Sequence, residues 1–156
     1  MIQRIQSLFI IIAIALMASL MIWPIDTFGS AQGMAELRWN GVFDITPGTT
    51  EPVIRLMIAL AAIIIAPIAL NAVGLFLYKK NRLPLQMRLV GIAAGFEICV
   101  GAFLIYLSYE TATGMGAEAH FCIRWLLPIL AGVLDILAYR RISDDAALYH
   151  GWEHMR

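Results

Sequence analysis

The chain has 156 residues, of which 61% are hydrophobic and 14% charged, and its 11 lysines and arginines are balanced by 11 aspartates and glutamates. Soluble domains carry roughly a quarter charged residues, and disordered chains combine low hydrophobicity with high net charge; a mean hydropathy of +0.80 excludes both. A formal net charge of zero also excludes a globally basic nucleic-acid binder.

What remains is a small membrane protein. A bilayer core of ~30 Å needs about 20 apolar residues wound as a helix, and four stretches meet that length. The first, Ile5–Ile25, contains no charge. Arg4 ahead of an apolar run is also how signal peptides begin, but this run outlasts the roughly 7–15 residues of a secretory h-region, so an uncleaved span is expected. The loop that follows, Asp26–Arg55, is the longest and contains MAELRWNGVFDI. Asn40-Gly41 between two β-prone arms predicts a hairpin turn. Glu36, Arg38 and Asn40 alternate with Leu37 and Trp39, which makes one face polar, and Thr46-Pro47-Gly48 ends the second arm. Two strands alone are marginally stable, so the hairpin must lean on the bundle, the lipid surface or a partner.

The second span, Leu56–Tyr78, carries Leu60, Ile64, Pro67, Asn71, Gly74 and Tyr78 on one stripe. Pro67 has no N–H to give the carbonyl of Ile63. The connection YKKNRLPLQMR then supplies Lys79, Lys80, Arg82 and Arg88, a topology determinant that also touches anionic headgroups. In the third span, Leu89–Tyr109, the residues Gly91, Ala94, Gly95, Ile98, Gly101 and Ala102 form a face of mostly small side chains, with Gly91 and Gly95 as a small-xxx-small pair for helix packing. Glu97 lies at the edge of that face and is expected to point at other helices. The fourth span, Phe121–Tyr139, begins near Arg124, read as a snorkelling anchor, and carries Pro128, Ala131, Asp135 and Ala138 on the same stripe. Beyond it lies a tail, residues 140–156, in which Ser143 resembles an N-cap, Asp144 and Asp145 suit a first helical turn, and Leu148, Trp152 and Met155 make a short apolar stripe.

Lysine and arginine set the orientation. With the amino terminus inside, Arg4, Lys79, Lys80, Arg82, Arg88, Arg140, Arg141 and Arg156 are cytoplasmic, and only Arg38, Arg55 and Arg124 are outside. Both termini are therefore expected inside. Trp23, Trp125, Tyr78, Tyr106, Tyr109 and Tyr139 near the span ends read as an aromatic belt.

Ionisable groups within a span cost roughly 2.5–3.5 kcal/mol on insertion scales, so each asks for a reason. At 1.5 Å per residue, Asn71 lies about 10 Å, Glu97 about 12 Å and Asp135 about 6 Å from the inner ends of their spans. These three residues form the candidate polar site. One reading is a proton or cation site. The plainer reading makes Glu97 hydrogen-bonded interhelical glue and leaves Asp135 shallow enough to reach interfacial water or pair with Arg140 or Arg141. Cys99 and Cys122 differ in height by roughly 13 Å, too far for a disulfide, and read as apolar fillers. His150 and His154 have metal-binding spacing, but only Glu153 accompanies them, so no metal or other cofactor is expected. The chain contains no HExxH, GxSxG, Walker-type glycine loop or CxxC pair, so no catalytic residue is assigned and no enzyme is expected.

The opening MIQRIQSLFIIIA, the basic connection after the second span and the ending LLPILAGVLDILAYRRISDDAALYHGWEHMR resemble the Bacteroidetes integral-membrane family called domain of unknown function 4293. The resemblance implies a four-span inner-membrane protein and brings no activity or catalytic residues. The expectation is an all-α bundle of four transmembrane helices, forming one domain over residues 1–156, with a short extracytoplasmic β-hairpin. The favoured role is a non-enzymatic accessory or scaffold subunit, with the bilayer and a second copy or larger membrane complex as partners. The alternative is a small proton- or cation-coupled carrier acting as an oligomer through Asn71, Glu97 and Asp135, since four spans without a repeat are few for a self-sufficient carrier.

Overall fold

The computed structural model describes residues 3–30, 33–48, 53–77, 83–118 and 121–153. Four helices dominate: α1 (Gln3–Ile22), α2 (Ile58–Phe76), α3 (Leu83–Gly114) and α4 (Leu126–Glu153). Between α1 and α2 the chain forms four strands, β1 (Asp26–Ser30), β2 (Gly33–Arg38), β3 (Gly41–Asp44) and β4 (Val53–Leu56), in an antiparallel sheet ordered β1-β2-β3-β4. Three helices, α1, α2 and α3, are long and apolar enough to cross a membrane. In α4 the apolar run from Leu126 is interrupted by Asp135 and closed by Arg140-Arg141, so it is less apolar than the other three.

The helix limits differ from the expected spans for local reasons. α1 stops at Ile22 because Pro24 cannot continue a helix and disfavours helical geometry at Trp23. Leu56, expected in the second span, belongs to β4, and α2 begins at Ile58. α3 extends from Leu83 to Gly114, well beyond Leu89–Tyr109 at both ends. Its end is a Schellman closure: Ala117 N–H donates to the Ala112 carbonyl at 2.9 Å and Gly116 N–H to Thr113 at 3.2 Å. Gly116 takes the left-handed φ of +63° which that motif requires. Phe121 and Cys122 precede the helical part of the fourth segment, which opens with a 3-10 turn at Ile123–Trp125. The separate tail helix is not present: Ser143 lies inside α4, because nothing in Arg140-Arg141-Ile142 interrupts the helical hydrogen bonds. The stripe of Leu148, Trp152 and Met155 and the histidines at 150 and 154 lie outside the described side chains, as do Tyr78, Lys79, Lys80 and Arg82.

The hairpin exists, but its turn is one residue earlier than expected. Arg38 pairs with Gly41, leaving Trp39 and Asn40 as the loop, and among the described residues no non-glycine takes a positive φ. The hairpin leans on two further strands, β1 running on from α1 and β4 leading into α2. Alternation sorts its faces: Ala35 and Leu37 are buried, while Glu36 and Arg38 form an ion pair at 2.8 Å on the other face.

The inner face of the sheet belongs to the core of the bundle. Phe28, Ala35, Leu37 and Val42 pack with Met17 and Leu20 of α1, Leu60 and Ile64 of α2, Leu104 and Leu107 of α3, and Trp125. A second apolar cluster, Ile10, Leu83, Val90, Ala138 and Ile142, fills the opposite end.

Three contacts tie the first helix, or the residues just after it, to the last helix or the residues just before it. At the far end Gln6 Nε2 donates to Asp145 Oδ2, with both side chains buried. At the sheet end Arg124 donates to the Pro24 carbonyl and Cys122 Sγ–H to the Ile25 carbonyl at 3.2 Å. Arg124 is thus a half-buried brace and not a freely snorkelling anchor. Trp125, expected in the aromatic belt, is 8% exposed, whereas Trp23, Tyr106 and Tyr109 are exposed. Cys99 is exposed on the bundle surface instead of filling the core.

Candidate functional site

The buried side of α2 consists of Leu60, Ile64, Pro67, Asn71 and Gly74, the repeat expected from three- and four-residue spacing. On α4 the buried side includes Pro128, Ala131, Asp135 and Ala138. On α3 the buried stripe runs through Val90, Ala93, Ala94, Glu97, Val100 and Gly101. Each helix therefore presents one polar residue at the level where the two apolar clusters meet.

Asn71, Glu97 and Asp135 are each 0% exposed. The Asn71 amide joins them: Nδ2 donates to Glu97 Oε1 at 3.1 Å and to Asp135 Oδ2 at 2.6 Å. One amide thus spends both its hydrogens on two carboxyls from two other helices. The Glu97 and Asp135 carboxyls also lie within hydrogen-bonding reach of each other, while Asn71 Oδ1 has no hydrogen-bond partner among the described residues. Asp135 faces inward, away from the interfacial water and from Arg140 and Arg141, both of which are exposed. Among the described residues, the buried polar and charged side chains include no lysine, arginine or histidine.

Close helix approach holds this layer together. A Cβ on Gly101 would stand 2.6 Å from Ile129 Cγ1, and one on Gly132 would stand 2.8 Å from Ile98 Cγ1 and 3.1 Å from the Ala94 carbonyl oxygen. Gly91 packs against the Tyr139 ring. Gly95, expected to share that packing, is exposed and nothing lies within 4 Å of where its Cβ would be. The buried stripe of α3 follows Val90, Ala93, Ala94, Glu97, Val100 and Gly101, which leaves Gly95 on the far side of the helix, facing outward. Of the basic residues read as topology determinants, Arg88, Arg140 and Arg141 are exposed.

Gln6 and Gly132 carried no reading from sequence, and Asp145 was read only as a first-turn acid of a tail helix. Gln6 and Asp145 sit far apart in the chain, near opposite ends, and only the pairing of α1 with α4 brings them together. For Gly132 a signal was available: it follows Ala131 directly on the side of α4 that carries Pro128 and Asp135.

Among the described residues no group of three or more His, Cys, Asp or Glu side chains could hold a metal ion. The polar layer offers two carboxyls and one amide instead, a set that joins three helices by hydrogen bonds. No curated protein matches the chain. A family model does match, over residues 2–152, and the chain belongs to the family it describes, Domain of unknown function (DUF4293).

Proposed function

We propose that this is a four-span protein of the cytoplasmic membrane that serves as a non-enzymatic accessory or scaffold subunit. α4 is the fourth span: its apolar run from Leu126 to Tyr139 lies between Arg124 and Arg140-Arg141, and it packs against α1 and α3. The observation that carries the scaffold reading is the use made of the intramembrane polar groups. Asn71, Glu97 and Asp135 face other helices and bond one another, so their chemistry supports the fixed arrangement of the bundle. Its partners are the bilayer and a second copy or a larger membrane complex. In native membranes solubilised in mild detergent, the chain should migrate in native mass spectrometry within a complex of fixed stoichiometry. Recovery only as a lone monomer would remove this reading.

Both termini are cytoplasmic and the sheet lies outside, following the bias of lysine and arginine. In a variant lacking Cys99 and Cys122, a cysteine placed at Ser30 should react with a membrane-impermeant thiol reagent in intact cells, and one at Asn81 should not. Labelling at Asn81 alone would invert the orientation.

A further inference from the structure

Arg55 of β4 and Glu110 of α3 meet at the sheet end of the bundle. Their closest atoms, Nη1 and Oε1, stand 3.9 Å apart, and both side chains are exposed. A charge-assisted hydrogen bond closes to about 2.7–2.9 Å, so these groups sit side by side without bonding. An exposed pair this loose contributes little to stability. Together with Val42, Ile54, Met57 and Met115, the two charges line a cleft of about 260 Å³ between the sheet and the end of α3. That volume falls short of the roughly 300–1,000 Å³ of pockets that enclose a whole ligand. It suits the polar end of a larger molecule whose remainder stays outside.

The height of the cleft points to the molecule. α2 and α3 are both long and apolar enough to cross a membrane. Arg55 lies just ahead of α2, which begins at Ile58, and Glu110 directly follows Tyr109, where the apolar run of α3 ends. Both charges therefore stand where hydrocarbon gives way to headgroups. Deeper along α3, Phe103 and Tyr106 share the side of Glu110 by three- and four-residue spacing. Both rings are exposed, and they stack with centroids 6.4 Å apart. They form an apolar track leading from the cleft towards the middle of the span.

We propose that this cleft binds one phospholipid of the phosphatidylethanolamine class, with its headgroup between Arg55 and Glu110 and a chain along Phe103 and Tyr106. The guanidinium fork of Arg55 matches the phosphate, and the Glu110 carboxylate accepts N–H bonds from the primary ammonium. The zwitterion gives each protein charge an opposite partner and leaves the cleft neutral. An anionic headgroup without an amine would satisfy Arg55 but place a negative charge beside Glu110. Choline has no N–H for the carboxylate. Such a site requires α2 and α3 to cross the bilayer and is independent of the accessory-subunit role.

The test is native mass spectrometry of the full chain in mild detergent. Phosphatidylethanolamine, phosphatidylcholine and phosphatidylglycerol with identical acyl chains are titrated in turn. One phosphatidylethanolamine should bind about tenfold more tightly than phosphatidylglycerol, with phosphatidylcholine between them. Arg55→Gln should weaken phosphatidylethanolamine binding about tenfold. Glu110→Gln should bring the ethanolamine and choline lipids to the same affinity. Both side chains are exposed, so neither variant should change the melting profile followed by circular dichroism. O-phosphoethanolamine, which has the headgroup and no chains, should fail to displace the lipid at equal concentration; displacement would make this a site for a soluble ligand and overturn the proposal. Equal binding of all three lipids to the wild-type chain, or the absence of a one-to-one adduct, would overturn it without recourse to a variant. A preference for phosphatidylethanolamine that survives both substitutions would do the same, because the lipid would then sit elsewhere.

Discussion

Asn71→Leu should destabilise the bundle by about 2–4 kcal/mol, because a single substitution removes two buried hydrogen bonds and leaves both carboxyls without their shared donor. Leucine is close to asparagine in shape, so the loss is electrostatic and not a packing defect. The control is the simultaneous replacement of all three members, Asn71→Leu with Glu97→Met and Asp135→Leu. A wholly apolar layer strands no polar group, and replacing buried ionic sets by apolar ones is often neutral or better. The triple variant should recover to within about 1 kcal/mol of wild type. Denaturation in a sodium dodecyl sulfate titration, followed by far-ultraviolet circular dichroism, measures both. A single variant as stable as wild type would show that the amide does not hold the helices; a triple variant worse than the single would show that shape governs the layer.

Gly132→Leu should cost about 2–3 kcal/mol, the upper part of the range for overpacked cores. A Cβ there meets both the Ile98 side chain and the Ala94 carbonyl. Ile98 is 41% exposed and can rotate away, but the carbonyl belongs to the backbone of α3 and moves only if the helices separate. Gly95→Leu is the matching substitution at an open position and should change stability by less than about 0.5 kcal/mol. If the two variants behaved alike in the same titration, the close approach of α3 and α4 would be without energetic consequence.

The contrast between these glycines shows what could be read before folding. Periodicity located the buried side of α2, since Leu60, Ile64, Pro67, Asn71 and Gly74 recur at the spacing of one helix face. Depth, at a fixed rise per residue, placed Asn71, Glu97 and Asp135 at similar heights, and the structure joins them by hydrogen bonds. Azimuth was harder to read. A small residue packs only if its face meets a neighbour, and Gly95 points outward while Gly132 meets the α3 backbone. The boundary of a span also differs from the boundary of a helix: Arg140-Arg141 marks where apolar composition ends, yet the backbone of α4 continues to Glu153. Strands β1 and β4 went unnoticed because DTFGS and VIRL are short and lack sustained alternation; their pairing with the hairpin supplies the order that their composition does not.

The joining of α1 to α4 has a consequence for the order of synthesis. α1 packs more extensively on α4 than on α2, and the Gln6–Asp145, Arg124–Pro24 and Cys122–Ile25 contacts bridge segments about a hundred residues or more apart, which leave the ribosome at well-separated times. The first helix, long and apolar enough to cross a membrane, is therefore made long before its main neighbour exists. Its exposed partner face, including Gln6, must wait among lipids or be shielded by the insertion machinery until the last helix arrives. Closure of the bundle waits for α4, and a chain truncated within α4 remains an open arc whatever the quality of its first three helices.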